Sequence, residues 1–119
     1  MDETDIREAL DAEREATVER IGAMTKEFDE IVAASADSNA DDEHDPEGST
    51  IAFERAKVSA LVLEARAYLA DLTRAQARLD AGTYLFCEHC GGPIASERLA
   101  ARPATRSCIA CAALGRPPT

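Results

Sequence analysis

Four cysteines stand in two C-x-x-C pairs, Cys87/Cys90 and Cys108/Cys111, with seventeen residues between the pairs, and the chain has no others. A C-x-x-C step folds into a tight knuckle that turns both sulfurs toward one point. Two knuckles complete a tetrahedron around Zn²⁺, and the separation suits a four-sulfur site. Gly91 and Gly92 follow the first knuckle, where backbone amides must turn toward the sulfurs. The spacing predicts one structural Zn²⁺ per chain on Cys87, Cys90, Cys108 and Cys111, with no open coordination position. Two disulfides or a thioredoxin-like redox pair are the competing readings. One C-x-x-C suits redox chemistry, whereas two suit a closed metal site. His89 lies inside the first knuckle, but four thiolates already satisfy the metal, so it is expected to be exposed. His44 stands alone in sequence and supports no catalysis.

Other chemistry is sparse. The phosphate-binding pattern G-x-x-x-x-G-K-[ST], the nucleophile pattern G-x-S-x-G and the metalloprotease pattern H-E-x-x-H are all missing. No enzymatic activity is expected. The net charge of −10 is unevenly spread, with nine Lys/Arg against twenty-one Asp/Glu in residues 1–80 and four against two in 81–119. Four thiolates on Zn²⁺ would bring the second segment close to neutral. Contact with nucleic acid phosphates needs a basic patch, so direct DNA binding is disfavoured. No apolar run is long enough to span a membrane, and the acidic start "MDETDIREAL" has no secretory h-region. A cytoplasmic location is expected, and in a reducing compartment clustered cysteines favour metal over disulfides.

Two helical stretches precede the cysteines in the chain. From about Thr4 to Ala34 the residues Leu10, Thr17, Ile21, Met24, Phe28 and Ile31 recur at steps of three and four, with Arg14 as a polar interruption. From about Ile51 to Leu79 the residues Val58, Leu61, Ala65, Tyr68, Leu72, Ala75 and Leu79 do the same. Ser49 or Thr50 can cap the second helix and Gly82 can end it. Paired antiparallel, the stripes bury each other in a coiled-coil-like hairpin. About 30 residues per helix give an arm of roughly 45 Å.

Between the helices lies "SADSNADDEHDPEGST", in which Pro46 and Gly48 bracket a turn. Its acidic residues, Asp42, Asp45 and Glu47 among them, read either as an ordinary solvated loop or as an anionic cluster at the far end of a rigid arm. The expected architecture is mainly α: a long antiparallel helical hairpin over 1–80 with a tip loop at about 36–50, a four-cysteine zinc finger over 81–114 at its base, and a short tail over 115–119.

The segment "GTYLFCEHCGGPIASERLAARPATRSCIAC" resembles the zinc finger of the DksA/TraR family of bacterial transcription regulators. The Gly-x-Tyr lead-in, the Cys-Gly after the first knuckle and the "RLxARP" segment carry the likeness. The preceding helix, acidic loop and helix resemble that family's coiled-coil arm. The resemblance implies binding to RNA polymerase through its secondary channel, with tip carboxylates near the catalytic centre. The family's best-known tip motif is Asp-x-x-Asp-x-Ala. Here "DPEGST" supplies Asp45, with Gly48 and Thr50 at the other two places; a one-residue shift puts Glu47 at the second acidic place. Several family members act with the alarmone ppGpp. Arg102 matches their arginine in "ARP", and Arg98 lies nearby as a second candidate for alarmone or arm-base contact. Asp71 and Ala112 stand where those members carry basic residues, so tight ppGpp binding is not expected. The competing function is a zinc-stapled helical hairpin serving as a general protein-interaction adaptor. The tip separates the two, because a channel regulator needs its loop carboxylates and an adaptor would use apolar helix faces.

Overall fold

The computed structural model describes residues 2–37 and 46–115. Among the described residues four helices follow in order: α1 (Glu3–Asp37), α2 (Pro46–Ala81), α3 (Ser96–Ala101) and α4 (Ile109–Ala113). α1 and α2 form the expected long helical hairpin. Asp2 starts α1: its carboxylate accepts the backbone N–H groups of Thr4 at 2.6 Å and Asp5 at 3.4 Å, as an N-cap should.

α2 begins earlier than the sequence suggested. Pro46 is its first residue, and Glu47 to Thr50 continue the helix. The cap expected at Ser49 or Thr50 is therefore not used, and Pro46 and Gly48 do not bracket a turn. Proline fits a first helical position because its fixed φ matches the helix and its missing N–H would have no intrahelical partner there. At the other end Gly82 stops α2 as expected, with φ 78°. Its N–H reaches Leu79 O at 3.1 Å, and Thr83 N–H reaches Arg78 O at 2.9 Å. That is a Schellman closure, which needs a left-handed residue at this place.

The chain divides into two compact units. One consists of residues 1–16 and 68–119. Its core joins Ile6 and Leu10 of α1, Leu72, Ala75 and Leu79 of α2, and Tyr84, Cys87, Ile94, Leu99 and Cys111 from the segment after α2. Polar cross-ties run along the same helix pair: Arg7 to Asp80 at 2.8 Å, Gln76 to Asp11 at 2.5 Å, and the Tyr68 hydroxyl to Glu13 at 2.9 Å. Their falling and rising numbers mark antiparallel helices.

The described residues of the second unit, residues 17–67, are the remaining lengths of α1 and α2. Thr17, Val58 and Ala65 are buried, while Ile21, Met24, Phe28 and Ile31 are only half-buried. Leu61, expected in the seam, is 41% exposed. The reason is layering. Val58, Ala65, Leu72 and Leu79 recur every seven residues and point into the seam. Leu61, Tyr68 and Ala75 lie at its edge. In the first unit the segment after α2 supplies a third layer that covers Ala75, whereas two helices alone leave the edge at Leu61 open. No helix among the described residues is long and apolar enough to cross a membrane.

Candidate metal centre

The four sulfurs lie within 4.8 Å of one another, and Cys90 Sγ to Cys108 Sγ is 3.8 Å. A Zn–S bond of about 2.3 Å places the corners of a sulfur tetrahedron about 3.8 Å apart, whereas a disulfide requires about 2.05 Å. All four cysteines are free. Spacing, donor type and separation fit one Zn²⁺, and the disulfide reading falls.

Local backbone geometry builds this cluster. Gly91, with φ 73°, turns the chain after Cys90, and its N–H closes onto Cys87 O at 3.0 Å. The N–H groups of His89, Gly92 and Cys111 donate to the sulfurs of Cys87, Cys90 and Cys108, each at 3.4 Å. An isolated antiparallel bridge pairs Phe86 with Pro93 across the first knuckle, and Cys87 N–H donates to Gly92 O at 2.8 Å. Cys108 is also the N-cap of α4, so the second knuckle is the start of a helix.

These contacts separate the thiols electrically. Backbone N–H donation, first from Cys90 and then from Cys108 and His89, lowers the Cys87 pKa to about 6. Cys108 is lowered too, chiefly by the N–H of Cys111. Cys111 is pushed up to about 12, first by burial and then by the thiols around it. Without a cation the cluster holds only part of its potential negative charge. A divalent metal supplies the charge that lets all four ionise.

Arg78, in the last turn of α2, fastens this knot to the helix. Its guanidinium donates to Thr83 O at 3.0 Å, to Phe86 O, and to Thr105 O at 3.4 Å. It also stands 3.6 Å from Glu88, inside the first knuckle. The buried Arg106 lies 4.0 Å from Glu88 and 3.9 Å from Asp71 of α2, and Glu88 N–H donates to Arg106 O at 2.9 Å. The Tyr84 hydroxyl donates to Pro103 O at 2.8 Å. Sequence reasoning missed this arginine–glutamate chain. Its one legible signal was Glu88 and Arg106 standing within two residues of ligand cysteines.

A sequence model of the prokaryotic dksA/traR C4-type zinc finger matches residues 82–114. Over these residues the chain is similar to that finger. The structure of transcription factor DksA2 from Pseudomonas aeruginosa is similar to this chain with a TM-score of 0.79 and 22% identity, covering 95% of this chain and 81% of that one. The likeness is one of fold, and it includes the helical hairpin. Among curated proteins, none matches the sequence.

Within residues 82–114, the remaining expected residues separate. Arg98 turns inward, donating to Ser107 O at 2.9 Å and to Thr105 Oγ1 at 3.3 Å, so it ties α3 to the approach of the second knuckle. Arg102 is exposed. Both border a cleft of about 370 Å³ whose lining also includes Asp71, His89, Arg106 and Ala112. His89 is half-buried there rather than exposed. The expected tip residues Asp42 and Asp45 lie outside the described residues. Glu47 is in the first turn of α2, and its side chain is likewise outside them.

Proposed function

We propose that this chain is a bacterial transcription regulator that binds RNA polymerase through the secondary channel and acts by binding, without turnover. One observation carries the reading: a DksA/TraR finger is joined to a helical hairpin in a fold shared with a transcription factor over 95% of this chain. Composition agrees. Excess acid in residues 1–80 opposes contact with nucleic acid phosphates, so the partner is protein. A cytoplasmic location goes with such a partner.

The working end is the connection between α1 and α2, at the opposite end of α2 from the finger. Asp42, Asp45 and Glu47 would bring carboxylates near the polymerase's catalytic Mg²⁺, a hard cation that prefers oxygen. The finger closes the hairpin's open end, and Arg78 and Arg98 serve that closure. Arg102 is left to face a ligand or the polymerase.

The cleft beside Arg102 is poorly equipped for ppGpp. Of its three arginines, Arg98 is bonded to Ser107 and Thr105 and Arg106 lies beside Glu88 and Asp71, while Ala112 adds no charge, so a highly anionic nucleotide would meet a mixed surface anchored mainly by Arg102. Regulation without ppGpp is the expected mode. The deciding experiment is capture of core RNA polymerase by the zinc-loaded chain, together with transcription at a sensitive promoter. Capture is expected, and its absence would end the reading.

A further inference from the structure

α2 carries a second apolar stripe on the side away from α1. Phe53, Ala56, Ala60, Leu63, Ala67 and Ala70 follow one another at steps of three and four over more than four turns, and all are exposed. Phe53 is 71% and Leu63 64% exposed. A surface helix normally turns charge outward, and α1 does so with Glu8, Glu15, Glu19 and Lys26. The stripe on α2 contains no charge along its length. Its positions keep a strict heptad, the pattern of a helix made to pack on a helix. The seam with α1 uses a different set, Val58, Ala65, Leu72 and Leu79.

The charges beside the stripe identify the occupant. Lys57 and Glu64 lie on one flank, one heptad apart. When a second α2 is laid antiparallel with its Leu63 on Ala60 of the first, Lys57 faces Glu64 of the other copy. The two-fold axis repeats the pair. In the same register Phe53 meets Ala70, and Ala56 meets Ala67, so each large side chain finds a small one. The alanines allow the axes to approach to about 8 Å. A two-fold contact needs a surface complementary to itself, and this one is.

We propose that two copies of this chain associate through the outward faces of their α2 helices, antiparallel, with Leu63 and Phe53 as anchors and Lys57–Glu64 pairs on the flank. With two large side chains per copy, the dimer is weak and concentration-dependent. On the polymerase reading it would also be a reserve form, because a doubled hairpin would not enter a channel that admits one. The association itself does not depend on that reading.

Sedimentation equilibrium of the full, zinc-loaded chain from micromolar to near-millimolar concentration tests it, with helicity and zinc content checked for each variant. Wild type should show a monomer–dimer equilibrium. Leu63→Glu should be monomeric with unchanged helicity. Lys57→Glu sets like charges against each other twice and should weaken the dimer about tenfold. Adding Glu64→Lys should restore it. A wild type that stays monomeric throughout overturns the proposal and leaves the stripe to another protein. A dimer that ignores Leu63→Glu, or a charge swap that fails to restore association, overturns it equally.

Discussion

Cys87 and Cys111 are the extremes of one ligand set, and the difference has a readable consequence. At neutral pH the Cys87 thiol, lowered to about 6, is already mostly ionised, while Cys111, pushed up to about 12, still holds its proton. Zinc binding must therefore expel protons, Cys111's among them. Affinity should rise at least about tenfold per pH unit around neutrality, since each displaced proton contributes that factor. It should fall still faster as pH drops through 6 and Cys87 reprotonates. Competition with a chromophoric chelator between pH 5.5 and 8 measures this, and a pH-independent affinity would contradict the ligand set. Elemental analysis should find one zinc per chain in wild type and little in Cys111→Ser. Arg78 is the other residue with many dependents. Arg78→Ala leaves Thr83 and Phe86 carbonyls without their guanidinium donor and Glu88 without one of its cations. A loss of about 2–4 kcal/mol is expected by denaturant titration.

Among the elements, the hairpin seam and its stop separate by burial. Leu72 is fully buried, so Leu72→Asp strands a charge in the core and should cost several kcal/mol. Leu61→Asp, at an open edge, should cost only about 1 kcal/mol. Glu64→Ala should change monomer stability by no more than about 0.5 kcal/mol. Thermal unfolding followed by circular dichroism ranks the three, and an equal cost at Leu61 and Leu72 would refute the two-layer description. Gly82→Ala meets no steric obstacle, as nothing lies within 4 Å of the added methyl. Its cost of about 1 kcal/mol should come from the left-handed backbone alone.

For the whole molecule, metal and core are one quantity. Cys87 and Cys111 share a core with Ile6, Leu10 and Leu72, so chelation should disorder roughly residues 83–113 and fray the adjoining helix ends. The rest of the hairpin should stay helical. Amide exchange before and after chelator distinguishes these regions. Neutralising the connection with Asp45→Asn and Glu47→Gln changes charge with little change in size. Folding and zinc content should survive, polymerase capture should weaken little, and the transcriptional effect should fall sharply. A variant that regulates like wild type would reduce the acidic connection to a solvated loop. In parallel, ppGpp binding to the chain–polymerase complex should be insensitive to Arg102→Ala, because Arg98 and Arg106 are engaged within the fold and Arg102 alone is a weak anchor.

What was legible in the sequence was whatever depends on local spacing. Two C-x-x-C pairs contain the ligand geometry within four residues each, and heptad recurrence names the seam of a helix without a partner being seen. Gly82 announces a stop because few other residues tolerate its backbone. The start of α2 was misplaced because Ser, Thr and Pro all favour helix beginnings, and local preference ranks them weakly against one another. Leu61 shows a different limit. Its spacing equals that of Ala75, yet one is open and the other covered, because cover comes from a third layer contributed by residues far along the chain. Glu88, Arg106 and Asp71 belong to the same class. Their pairing is between elements, between charges that no fixed sequence interval connects, and only tertiary structure could bring them together.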